Sequence, residues 1–449
     1  MRKNLSLAVI AVLVLLFLGT CSAPGDEGAG TVAFSFASSD RHIVQQGELA
    51  NMEYEITFTK DGETVVKRVS GTNTAIQMPS GKWVFSVRAY GDTPSTYNTK
   101  HLNEDSFLPD VVIFPNRMLR GMSEELDIEI RNGQRTSKAV QMTTATEVTS
   151  FHQLMRAALL ANHEGKEEII LISDNITFKG KENDYNEGGI STGQNIRLIA
   201  DKPVTIQRGV GYNYNLIVVT GSLTLGGFGM KGSLTFNGAY PDGSNTGSIF
   251  KVGYQEDEWP YKEISGSLVM YDNVTLTKNI SYNGGGVCVQ AGTFNMRSGK
   301  IIDNKENSSS GGGVHVMEDG VFNMHSGEIS YNNTYYTNGG GVYVYAGTFN
   351  MYGGDIKSNK THYCDDSGGG VYVESGTFNK QGGTISGNEI IDPSYGSSFG
   401  RAVYASYSDA LNVFHYIFRD ADAGSNVNLY IDQYGNTGST NANWVRPVP

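Results

Sequence analysis

The chain has 449 residues, 56 of them glycine, with 18% charged residues and a formal charge of −12. This balance excludes a general nucleic-acid binder, which needs a basic face against phosphate, and it leaves no polybasic patch for a membrane surface. Three cysteines exclude a disulfide-stapled scaffold, and abundant glycine with few charges fits a β-rich, turn-rich extracellular protein.

Residues 1–20 read as an export signal. Arg2 and Lys3 give a positive start, and Leu5 to Leu18 is almost wholly apolar but too short and wrongly flanked for a membrane span. The segment ends Leu18-Gly19-Thr20-Cys21, which resembles the lipobox of bacterial lipoproteins, with Thr20 where a smaller residue is usual. That resemblance implies that Cys21 carries a lipid and ties the chain to a membrane. The alternative is ordinary cleavage near Ala23, with Cys21 incidental. Residues 21–30 then form a flexible tether.

Residues 31–140 alternate as short strands do. Val32, Phe34 and Phe36 share one side, as do Tyr54, Ile56 and Phe58, then Trp83, Phe85 and Val87, and finally Leu126, Ile128 and Ile130. Gly62, Gly71 and Pro79-Ser80-Gly81 punctuate these runs. The pattern predicts a small antiparallel β-sandwich of immunoglobulin-like or transthyretin-like type. Residues 91–122 form a long, poorly patterned insert.

Residues 141–449 are expected to form one solenoid with its caps. Ser150 can cap a helix whose apolar face is Phe151, Leu154, Ala158 and Leu159, and a helix here covers the N-terminal end. Buried strands are predicted at Ile169–Ile172, Ile196–Ile199, Val204–Ile206 and Leu216–Val219. A repeat then returns four times. Triple glycines begin at Gly284, Gly311, Gly339 and Gly368, each followed by Val-x-Val. Phe294, Phe322, Phe349 and Phe378 follow in phase, and an Ile-x-x-Asn element closes at Asn304, Asn332, Asn359 and Asn388. Worn copies stand at Gly221-Ser-Leu223, Gly247–Val252, Gly266-Ser-Leu268 and Gly400–Ala405, and Leu234-Thr-Phe-Asn237 reads as an early Ile-x-x-Asn element.

The steps between triple glycines are 27, 28 and 29 residues (311−284, 339−311, 368−339). A fixed period of this size means stacked coils, each burying its neighbour's apolar face. Three β segments per coil divided by glycine turns predict a right-handed parallel β-helix, and the fold class is all-β. Alternation turns the valines inward and the middle residue outward. Met296, Met324 and Met351 share the phenylalanine face as core filling. A recurrent Asn at a turn predicts a buried hydrogen-bonded ladder. Cys288 and Cys364 lie in different coils, roughly 10–15 Å apart at the rung spacing of stacked strands, so no disulfide joins them.

Ile-x-x-Asn followed by Gly-Gly-Gly-Val resembles the FxxN and GGA[IVL] repeats of polymorphic outer membrane proteins, and also repeat-bearing surface lipoproteins of spirochaetes and gut bacteria. The resemblance covers about residues 210–410 and implies surface display and adhesion. The chain departs from it with Ile for Phe and Gly for Ala, and no autotransporter barrel pattern follows, so anchoring falls to Cys21.

The outward residues of Val-x-Val form a column: Cys288, His315, Tyr343, Tyr372 and Tyr404. An aromatic column can stack on sugar rings or pack against a partner protein. The plainer reading is stacking that stabilises the sheet; the column is nonetheless the best binding-face candidate. Gly227–Gly232 matches G-x-G-x-x-G but opens no helix. The remaining histidines are scattered, and no catalytic triad, carboxylate pair, metal spacing or cofactor motif stands out. The first expectation is therefore a non-enzymatic, lipid-anchored bacterial surface protein, an adhesin for glycan or host-protein ligands. The second is a β-helix polysaccharide lyase or hydrolase, and the third a structural surface coat.

Overall fold

The computed structural model describes residues 28–38, 51–94, 112–161, 165–178, 188–190, 193–239, 247–255, 263–335, 338–362, 368–391, 401–408, 414–419, 422, 429–431 and 437–439. Eight described strands precede the solenoid: β1 (Ala29–Ser38), β2 (Glu53–Lys60), β3 (Glu63–Ser70), β4 (Asn73–Pro79), β5 (Gly81–Asp92), β6 (Arg117–Met122), β7 (Leu126–Ile130) and β8 (Arg135–Val148). β4, β1 and β8 form one layer, and β3, β2, β5 and β7 the other. Alternation sets Val32, Phe34 and Phe36 against Tyr54, Ile56, Phe58, Trp83, Phe85 and Val87, all buried. Phe34 meets Phe85 edge-on at 5.2 Å, and Phe36 stacks on Tyr54 at 3.9 Å. The sandwich differs from a purely antiparallel one because β1 runs parallel to β8.

β8 also runs across the boundary expected between residues 140 and 141. Its first part pairs with β1, while Ala145–Val148 pair in parallel with Ile169–Ile172 of the first coil. One 14-residue strand thus belongs to both units. Leu119, Met122, Ala145, Ile169, Leu171 and Ile199 share an apolar cluster at the junction. Across it, Arg88 of the sandwich donates two 2.6 Å hydrogen bonds to the Asp201 carboxylate of the solenoid. Burial pulls the Arg88 guanidinium down, but the bonds and charge of Asp201 outweigh it and hold it above the usual arginine range.

Helix α1 (Phe151–Leu160) follows β8, and Ser150 caps it, its hydroxyl accepting from the Gln153 N–H at 3.3 Å. Phe151, Leu154, Ala157 and Ala158 close the solenoid core, with Phe151 on Phe178 at 4.5 Å. Val112, Phe114 and Met118 join them from the segment that carries no pattern in the sequence. The Gln153 amide ties that segment to the helix by donating to the Ile113 carbonyl at 2.8 Å.

The solenoid stacks its strands in parallel sheets, and the Ile-x-x-Asn strands make an eight-stranded one. Each inward position forms a column in register. Ile217, Phe250, Val287, Val314, Val342, Val371 and Val403 run down the valine face. Ile196, Leu223, Leu268, Phe294, Phe322, Phe349 and Phe378 run down the aromatic face. The phenylalanine rings stack at 4.9, 4.7 and 5.1 Å. At about 1.5–3 kcal/mol for each fully buried large apolar side chain, these columns dominate the stability. After the Asn, a further short strand recurs in five coils and stacks into a parallel sheet of its own: Ile280–Asn283, Lys305–Ser310, Asn333–Tyr335, Lys360–His362 and Glu389–Ile391. The triple glycines return the chain from that side. A Cβ on Gly312 would lie 2.4 Å from the Gly340 carbonyl oxygen of the next coil, so the rungs close only over glycine.

The turn asparagines are buried and linked. The backbone N–H of Asn304 and its side-chain amide both donate to Asn332 Oδ1, at 3.0 and 3.1 Å; Asn332 repeats this on Asn359, and Asn359 on Asn388. The ladder begins at Asn279, not Asn237, because Phe236 rather than Leu234 lies level with Leu276 and Ile301. Buried Arg208 closes this end, donating to Asn279 Oδ1 at 3.1 Å and to the carbonyls of Tyr212 and Gly247.

Candidate functional site

The predicted outward column exists, but it is not a surface. His315 meets Tyr343 at 4.9 Å, Tyr343 stacks on Tyr372 at 5.4 Å, and Tyr372 on Tyr404 at 5.5 Å. Their exposures are only 5, 7, 6 and 1%. The tyrosines form a separate apolar cluster outside the main core. Tyr345 stacks beside Tyr343, whose hydroxyl donates to the Glu374 carboxylate. The column therefore stacks within the sheet and is nearly closed to solvent, where the sequence pattern alone placed it as an exposed face. Cys21 and Cys364 lie outside the described residues, and no described helix is long and apolar enough to cross a membrane.

Cys288, at the head of the column, is a free, buried thiol. Its Sγ lies 3.8 Å from Met317 Sδ in the next coil. Burial pushes this thiol up to about 11, against a weaker downward pull from Lys251. Beside it, neither ring nitrogen of His315 has a hydrogen-bond partner among the described residues, and burial pulls the imidazole down to about 4, so it is neutral at pH 7.

Among the described residues, two concave features line the coils. The first is a groove of about 540 Å³ across the early coils, lined by Gln194, Asn195, Thr220, Ser222, Ser265, Ser267, Thr293 and Asn295 with intervening glycines. Asn195, Ser222, Ser267 and Thr293 are in-register neighbours on successive rungs, so their side chains form a row of hydroxyl and amide groups at about 4.8 Å intervals. None of the described lining residues is ionisable. The sequence hid this row because Asn, Ser and Thr at outward positions look like ordinary solvated strand residues.

The second is a pocket of about 140 Å³ lined by Gln255, Glu263, Gln290, Ala291, Met317, Glu318, Asp319 and Tyr345. Here the sequence reading, which found no carboxylate pair, needs correction. Glu263 and Asp319 hydrogen-bond to each other, and this bond, desolvation and the charges of Asp319 and Glu318 raise the Glu263 carboxyl above its usual range. A signal was present. From triple glycine to aromatic element the spacing is 8, 9, 8 and 8 residues (292−284, 320−311, 347−339, 376−368). The extra residue makes a bulge opposite Gln290, where the register shifts, and turns Glu318 and Asp319 toward Glu263. Among the described residues, no cluster of three His, Cys, Asp or Glu side chains is arranged to hold a metal.

Compared with family models, curated proteins and solved structures, the chain matches none of them.

Proposed function

We propose that this chain is a non-enzymatic, lipid-anchored surface protein that binds a carbohydrate ligand in the lateral groove of its first coils. The observation that carries the reading is the groove's lining of neutral donors and acceptors, repeated rung by rung, with no ionisable group among the described residues. Such a row suits a neutral ligand that itself carries repeated hydroxyls. Its described lining supplies no general acid or base, so the serine and threonine hydroxyls have none beside them to activate attack. The lipobox-like Leu18–Cys21 motif supports display on a bacterial surface.

The polysaccharide-hydrolase reading finds its support in Glu263 and Asp319. Glycosidase carboxyls flank the scissile bond at about 5 Å or more, whereas Asp319 lies close enough to Glu263 to hold its carboxyl above the usual range. Binding is therefore the better reading.

The test is a glycan array probed with the full protein and with Ser267→Phe and Thr293→Phe. Both substitutions point outward and suit a strand, so the fold is retained. We expect specific glycan binding that falls about tenfold or more in each variant, against 1.4 kcal/mol per decade. Binding unchanged in both variants, or none to any glycan, overturns the reading.

A further inference from the structure

We propose that Cys288, Met317 and His315 form a binding site for a soft, thiophilic monovalent cation, with Cu(I) its biological form. Three donors of matching chemistry stand together on neighbouring coils. Cys288 and His315 are register partners on adjacent rungs, and both side chains project from the outer side of the valine face. Met317 stands two residues beyond His315 and so shares that side, with its sulfur 3.8 Å from the Cys288 sulfur. With metal–sulfur bonds of about 2.3 Å, as at zinc thiolates, a tetrahedral angle spaces two sulfurs by about 3.8 Å. The sulfurs are thus already at ligand spacing.

The imidazole is the independent observation. His315 is 5% exposed, yet neither Nδ1 nor Nε2 has a hydrogen-bond partner among the described residues. Buried polar nitrogens are almost always satisfied, and an orphaned one calls for an explanation. A metal ion beside Cys288 and Met317 supplies it. Thiolate, thioether and imidazole together select a soft ion rather than calcium or magnesium.

An entry path is also present. Met317 lines the small open pocket, whose mouth carries Glu263, Glu318 and Asp319. Three carboxyls there concentrate cations at the only half-buried ligand of the three. Among the described residues, Lys251, the register partner of Cys288 on the preceding coil, is the opposing charge near the thiol. Binding exchanges the thiol proton for the metal: the S–H bond breaks, the S–Cu bond forms, and one proton is released to water with no change of oxidation state.

The experiment is an anaerobic titration of the full protein with Cu(I) against a chromogenic Cu(I) chelator. A Cys21→Ser/Cys364→Ser background leaves Cys288 the single thiol. We expect one Cu(I) per chain, a new thiolate-to-copper ultraviolet band, and sulfur and nitrogen neighbours by X-ray absorption. Met317→Leu conserves volume and is expected to weaken binding by roughly tenfold or more; Cys288→Ser is expected to abolish the band. Far-ultraviolet dichroism of each variant shows that the solenoid is intact. No binding in the single-thiol protein overturns the proposal. So does undiminished binding in folded Met317→Leu, or a copper shell without nitrogen.

Discussion

At the scale of single residues, two asparagine rows make opposite predictions from the same chemistry. Asn332 is fully buried and accepts both donors of Asn304. Asn323 sits on the outer side of the aromatic face, half-buried, linked to Asn295 and Asn350. Asn332→Ala strands two buried donors and is expected to cost about 2–6 kcal/mol, at roughly 1–3 kcal/mol for each unsatisfied group. Asn323→Ala leaves its neighbours within reach of water and is expected to cost about 1 kcal/mol or less. Denaturant unfolding of the two variants measures the difference, and equal losses would remove the inner row's special role. A second residue-scale prediction concerns Tyr54, whose phenol burial raises from 10.0 to about 12. The unfolded chain ionises first. The stability from the neutral phenol is therefore complete below pH 10 and lost as pH rises toward 12, at most about 2–3 kcal/mol. Tyr54→Phe is expected to flatten that alkaline decline in a stability-against-pH series.

At the scale of elements, what the sequence discloses depends on whether a residue's environment repeats. Val287, Val314, Val342 and Val371 face inward in coils of nearly constant length, so phase alone fixes their place. Phe294 and its successors are legible for the same reason. Val112 and Phe114 are not, because a segment that plugs one end of a core needs a few apolar side chains and no period. The burial of Tyr343 and Tyr372 was hidden too: alternation says which side of a strand a residue takes, not what packs over that side. Glu263 and Asp319 meet through a bulge whose mark in the sequence is one extra residue. β8 was divided in two because its composition changes midway while its backbone does not. A prediction follows from that strand. Ala145 is buried in the junction cluster, and Ala145→Asp puts an unpaired carboxylate there at a cost of several kcal/mol. Calorimetry is expected to show one unfolding transition in the parent and two in the variant. A single, merely lowered transition in the variant would show that the sandwich and solenoid are not coupled through this strand.

At the scale of the whole molecule, the columns and the asparagine ladder give every middle coil the same contacts above and below. The N-terminal side differs: α1 and Phe114 cover the core, and Arg208 satisfies the first asparagine of the ladder. Stability therefore accumulates coil by coil through nearest-neighbour terms, as in other one-dimensional arrays. The ladder also has a direction, since each asparagine from Asn304 to Asn359 donates to the one that follows. Residues 339–367 make one complete period, from one triple glycine to the next. Loss or duplication of such a period leaves every donor facing an acceptor and both ends unaltered. The length of this protein is thus a quantised quantity, adjustable in increments of about 4.8 Å, and a lineage can lengthen or shorten its reach without redesigning either terminus.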